Sequence, residues 1–110
     1  MIDWNRVAAL REEVGPEDFD EVVELFLQEV DEEIETLTVT TAADGLAEKL
    51  HFLKGSALSL GFREFSSLCQ SGEMSLSQNP EAEIDLNGIQ HSYSTSRDVF
   101  LTELPAKIAS

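Results

Sequence analysis

Apolar residues recur along this chain at three- and four-residue intervals, the pattern of helices that bury one face. A first segment runs from Asp3, a plausible N-cap, to about Val14, with Trp4, Val7, Leu10 and Val14 in register. Gly15-Pro16 then ends it and opens the next. The second segment spans about Glu17 to Leu37. Its stripe is Phe19, Val22, Val23, Phe26, Val30, Ile34 and Leu37, and its other face is acidic. The β-branched run Thr38-Val39-Thr40-Thr41 is expected to let this helix fade. A third segment covers about Ala42 to Leu58, with Ala43, Leu46, Leu50, Leu53 and Ala57 inward and Gly61 as the reversal point. A fourth covers about Arg63 to Leu76, with Phe65, Leu68, Cys69 and Met74 inward. Ser77-Gln78-Asn79-Pro80 reads as a loop. A fifth covers about Ala82 to Leu104, with Leu86, Ile89, Tyr93, Ser96 and Phe100 in register, although Asn87, Gly88 and residues 92–96 are poor helix formers. The pattern predicts an all-α fold: an antiparallel up-down four-helix bundle with a short additional N-terminal helix capping one end.

Composition agrees with that picture. The 110 residues are one domain's worth, so a single helical-bundle domain over 1–110 is expected. Three prolines and six glycines favour long helices over strands and turns. The net charge of −15 would allow disorder, but the helical spacing of the apolar residues argues for a packed core. Charge also excludes partners. Fifteen of the 22 acids lie in the first 48 residues, and such a surface repels nucleic acid and anionic membranes alike. The single cysteine, Cys69, permits no internal disulfide and reads as a buried small hydrophobe. The opening MIDWNRVAAL lacks a basic region followed by an apolar run, and no stretch approaches a membrane span, so a cytoplasmic protein is expected.

The chemistry concentrates in Leu50-His51-Phe52-Leu53-Lys54-Gly55-Ser56-Ala57-Leu58-Ser59-Leu60-Gly61. On a helix whose Leu50, Leu53 and Ala57 face the core, His51 lies about 100° round from Leu50, at the edge of the stripe. Ala47, Lys54, Gly55 and Leu58 lie one or two turns from it. An imidazole has an unperturbed pKa of ~6.5, so at neutral pH it is a nitrogen nucleophile. A phosphoryl group on it would add about two negative charges, which Lys54 is placed to offset. Gly55 costs about 1 kcal/mol relative to alanine in a helix, but it removes a side chain that would block an approaching partner. No acid lies between Glu48 and Glu64, while Lys49, Lys54 and Arg63 all fall in residues 49–63. That is a local neutral-to-positive window suited to phosphate.

The run His51-x-Leu53-Lys54-Gly55-Ser56-Ala57-x-x-x-Gly61 resembles the signature of histidine-phosphotransfer (HPt) domains, the carriers of two-component phosphorelays. Phe65-Ser66-x-Leu68-Cys69 and Gly72-Glu73 are similar to that family's following helix, and Ile2-Asp3-Trp4 with Phe19, Val23, Leu25 and Phe26 to its start. Leu50, in place of the usual alanine, and Phe62, in place of a small residue, depart from the pattern. The resemblance implies that His51 is the phosphoacceptor through Nε2, that Lys54 supports the charge and that Gly55 gives the partner clearance. Ala47, Phe52, Leu58 and Phe62 would form the docking patch. It implies a stoichiometric carrier, not an enzyme, with no metal or cofactor of its own. The Mg²⁺ would belong to the docking receiver domain. Partners would be response-regulator receiver domains and a hybrid histidine kinase, and the carrier a monomer. The Met1 start and domain-sized length lead us to expect a free-standing protein.

Other readings compete. His51 could be an edge-of-core histidine, Gly55 a helix-contact glycine and Lys54 a solvated lysine. Ser56, five residues after His51, is expected to bond its own helix backbone. His91 has no motif around it and reads as surface. A bundle metal site needs Glu-x-x-His pairs from two helices. Glu48-Lys49-Leu50-His51 fits once, and Gly88-Ile89-Gln90-His91 does not. No phosphate-binding glycine loop is present, so ATP is not expected to bind. The principal alternative is a non-catalytic module that docks a receiver or another helical partner on the same patch.

Overall fold

The computed structural model describes residues 2–37 and 43–108. The expected fading of the second helix in Thr38–Thr41, the expected start of the third at Ala42 and the inward placement of Ala43 lie outside the described residues. Five helices follow one another: α1 (Trp4–Val14), α2 (Phe19–Glu35), α3 (Ala43–Leu60), α4 (Arg63–Gln78) and α5 (Leu86–Ile108). Helices α2 to α5 form the expected antiparallel bundle, and α1 is the short additional helix.

The ends of the helices follow from local chemistry. Asp3 Oδ1 accepts a hydrogen bond from the Arg6 amide at 3.3 Å and so caps α1. Gly15, at φ 89°, ends it. Pro16 to Asp18 form a turn, closed by the Asp18 amide donating to the Gly15 carbonyl at 3.1 Å, so α2 starts two residues later than the pattern predicted. Asp85 Oδ1 accepts from the Gly88 amide at 2.9 Å and sets the start of α5 at Leu86, four residues after the predicted Ala82. At its other end α5 runs through Pro105, which sits in the exposed last turn, where one lost backbone bond is tolerated. The weak formers Asn87, Gly88 and Ser92–Ser96 are helical because Ile89, Tyr93, Ser96 and Phe100 are buried, and tertiary packing outweighs propensity.

Helix α3 ends in a tight reversal that organises the region beside the candidate site. The Phe62 amide donates to Ala57 O (2.8 Å) and the Gly61 amide to Leu58 O (3.3 Å), a Schellman arrangement with Gly61 at φ 77°. A Cβ at Gly61 would come within 2.6 Å of Asp3 O, and the Asp3 amide donates to Gly61 O at 2.7 Å. The reversal therefore needs glycine twice over, for its backbone angle and for the close approach of Asp3, whose neighbour Ile2 bridges to Phe62.

This reversal corrects one expectation. Phe62 is fully buried, not part of an exposed docking patch. The chain turns inward at Gly61, and the Phe62 ring packs edge-on to Phe100 at 5.3 Å and tilted against Tyr93 at 6.1 Å. Leu50 is buried as well, so both departures from the family pattern are core residues. Two further residues are corrected on α4. Its inward positions are Phe65, Ser66, Cys69, Gly72 and Leu76. Leu68 lies about 100° from Cys69, and Met74 about 200° from both Gly72 and Leu76, so both are exposed rather than inward. On α2, Leu27 is buried although the predicted stripe omitted it.

Candidate functional site

The site lies where α3 and α4, the most extensively packed pair of helices, run side by side. A Cβ at Gly72 would come within 2.9 Å of Leu50 Cδ1, so the glycine lets α4 close onto α3 at this level. Leu50 precedes His51 and Gly72 precedes Glu73, which brings those two side chains together across the helix pair.

His51 projects outward, its side chain 68% exposed. Its Nδ1 lies 3.0 Å from Glu73 Oε2. The other carboxylate oxygen, Oε1, is 3.1 Å from Lys54 Nζ. Burial alone would raise the Glu73 pKa, but the hydrogen bonds and charges of Lys54 and His51 outweigh it and hold the group below the usual carboxylate value. An ionised carboxylate can only accept hydrogen bonds, so the Nδ1 proton points to Glu73. In the neutral ring Nε2 then carries the lone pair, on the edge facing away from α4.

The neighbours divide clearly. A Cβ on Gly55 would meet no atom within 4 Å beyond its two chain neighbours and the adjoining backbone of its own helix, in contrast to Gly61 and Gly72. Gly55 is therefore not a helix-contact glycine; the space above it is open to solvent. Phe52 and Leu58 are exposed on the same helix, and Ala47 is partly buried against the core. Ser56, five residues after His51, is buried. Lys49 does not join the site. Its Nζ is 3.2 Å from Glu33 Oε2 and 2.7 Å from Thr36 Oγ1 on the α2 side. Beside Lys54 and Glu73 a shallow groove is lined by Gln70, Met74 and Ser77 of α4. Cys69, below Glu73, has its thiol pushed up to about 12 by burial and by the Glu73 charge, against a smaller opposing effect of Lys54. It is an inert core thiol. Among the described residues no three His, Cys, Asp or Glu side chains gather as a metal site.

The residue that the sequence reading quoted only within the family resemblance, and did not assign to the site, is Glu73. The charge window of residues 49–63 contains no acid in the linear chain, yet α4 supplies one directly to His51. The available signal was its register: Glu73 lies one residue after Gly72 and four after Cys69, at the border of the buried face of the helix that must pair with α3.

The Hpt domain family matches the chain over residues 21–109, and the chain belongs to that family. It is thus a phosphotransfer module of two-component signalling, of the kind that interacts with receiver domains and kinases. No curated protein and no solved structure matches it. Among the described residues no helix is long and apolar enough to cross a membrane.

Proposed function

We propose that His51 relays a phosphoryl group between receiver-domain aspartates, or from a kinase to a receiver, as a covalent phosphohistidine. The observation that carries the reading is the 3.0 Å contact between Nδ1 and the ionised Glu73 on a solvent-exposed ring. Glu73 fixes ring orientation and leaves Nε2 as the nucleophile. The Nε2 lone pair attacks the phosphorus of an aspartyl phosphate, the P–O bond breaks, and its electron pair returns to the aspartate. The ring gains positive charge next to Glu73, while the phosphoryl group gains the nearby Lys54 ammonium. Reversal of the same steps donates the group onward.

Gly55 leaves the approach to Nε2 clear. The docking surface comprises Phe52 and Leu58 of α3 and, in place of the buried Phe62, Met74 of α4, with Ala47 contributing its small side chain. The chain needs no metal or cofactor of its own in this reading. The Mg²⁺ ion and the aspartate are those of the receiver, and the protein acts stoichiometrically, not as an enzyme, and as a cytoplasmic monomer.

The test is to mix the purified protein with receiver domains charged by acetyl phosphate and to follow intact mass. A gain of one acid-labile phosphoryl group, absent from His51→Gln, is expected. If no receiver transfers phosphate while receivers still bind, the protein is a docking module and the relay reading fails.

A further inference from the structure

We infer that Glu73 keeps the proton on His51 Nδ1 after the ring is phosphorylated, and so keeps phosphoryl donation fast above neutral pH. This rests on His51 being the phosphoacceptor and concerns how the group leaves it. In donation the P–Nε2 bond breaks as a phosphorus–oxygen bond forms to the receiver aspartate. The bonding pair returns to Nε2. If Nδ1 holds its proton, the leaving ring is neutral imidazole. If that proton has been lost to solvent, the ring must leave as imidazolate, a far stronger base and a far poorer leaving group.

The geometry places one carboxylate to prevent that loss. Glu73 Oε2 is 3.0 Å from Nδ1, and Lys54 holds the other oxygen at 3.1 Å. The carboxylate is therefore charged, and one oxygen remains committed to the ring. A fixed negative charge beside Nδ1–H stabilises the cationic, phosphorylated ring. Among the described residues no other group takes the Glu73 oxygen that faces Nδ1, since Lys54 sits on the opposite oxygen. Lys54 comes from α3, Cys69 from α4 is a buried neutral thiol, and the exposed Glu48 lies three residues before His51. Among the described residues no hydrogen bond or ion pair reaches His51 or Glu73 from α1, α2 or α5.

Glu73 acts through His51 and is a positioning residue, so its signature is a pH profile. The phosphorylated wild type, Glu73→Ala and Glu73→Gln are compared for donation to one receiver and for spontaneous phosphate loss, between about pH 6 and pH 9. The ratio of variant to wild type cancels the receiver's own pH dependence. Near pH 6, solvent protons serve both rings, and Glu73→Ala is expected within about twofold of wild type. Near pH 9 it is expected to donate about tenfold more slowly, the scale of one charge-assisted hydrogen bond, with a correspondingly longer-lived phosphohistidine. Glu73→Gln retains an acceptor oxygen and is expected to fall between the two. Glu73 is a partly exposed surface carboxylate, so both variants are expected to fold, as circular dichroism checks. A constant ratio of Glu73→Ala to wild type across pH overturns the inference while leaving the relay intact. A wild type that never acquires phosphate on His51 overturns the reading beneath it instead.

Discussion

Replacing Gly55 separates stability from transfer. A glycine inside a helix costs about 1 kcal/mol relative to alanine, because its backbone loses more freedom on folding. At Gly72 that cost is offset by close packing on Leu50, where an added Cβ would approach to 2.9 Å. At Gly55 nothing offsets it: beyond its two chain neighbours and the adjoining backbone of its own helix, no atom lies within 4 Å of the added Cβ, and the φ angle is ordinary for a helix. Gly55→Ala is therefore expected to stabilise the protein by about 1 kcal/mol, roughly a 4 °C rise in melting temperature for a domain of this size. Gly55→Gln is expected to be stabilising also, since glutamine is a good helix former and the site is open. Transfer should move the other way. A long side chain one turn from His51 stands where the receiver must bring its aspartate, and displacement of about 1 Å at a reacting centre costs up to 10²-fold. We expect donation and acceptance by Gly55→Gln to slow at least tenfold, and by Gly55→Ala to slow less. Urea unfolding and single-turnover transfer on the same preparations make the comparison. The reasoning is refuted if Gly55→Ala is destabilised, or if Gly55→Gln transfers at the wild-type rate.

Other outcomes follow from the same structure. Phe62→Ala removes a fully buried ring from the contact with Phe100 and Tyr93 and is expected to cost about 3–5 kcal/mol in urea unfolding; a loss below about 1 kcal/mol would mean the residue is not in the core. Met74→Glu, at a 54% exposed position beside the Lys54–Glu73 groove, should leave the melting temperature within a few degrees of wild type but weaken receiver binding about tenfold by titration calorimetry. Unchanged affinity would remove α4 from the docking surface. Glu73 has a folded pKa below its ordinary value of 4.5, so its stabilising contribution is complete above that value and is lost as pH falls through the lowered one. Glu73→Gln should therefore flatten the acid limb of the stability curve, with the variant less stable than wild type near neutrality and equal to it in acid, as urea unfolding across that pH range checks.

The order and type of the five helices were legible because the apolar stripes of α2 and α3 keep helical spacing over several turns. Their ends were less so. Pro16 to Asp18 could have been the first turn of α2, and only the Asp18–Gly15 hydrogen bond makes them a turn before it. Phe62 is the instructive failure: hydrophobicity near His51 suggested a contact residue, but position after a left-handed glycine turns the side chain into the core. Met74 failed in the opposite sense, since a large apolar residue was assigned inward against its register. Within the site, His51, Lys54 and Gly55 share one helix, so spacing alone could group them. Glu73 could not be grouped that way, because its contact depends on how close α4 packs to α3, which is set by the Leu50–Gly72 approach.

The most direct measurement is a phosphorus–nitrogen correlation by NMR on protein carrying ¹⁵N-labelled histidine, phosphorylated by a charged receiver. The account predicts a single phosphoryl group bonded to His51 Nε2, with Nδ1 still protonated. Phosphate on His51 Nδ1, on His91, or on no histidine at all while the receiver remains bound would contradict it.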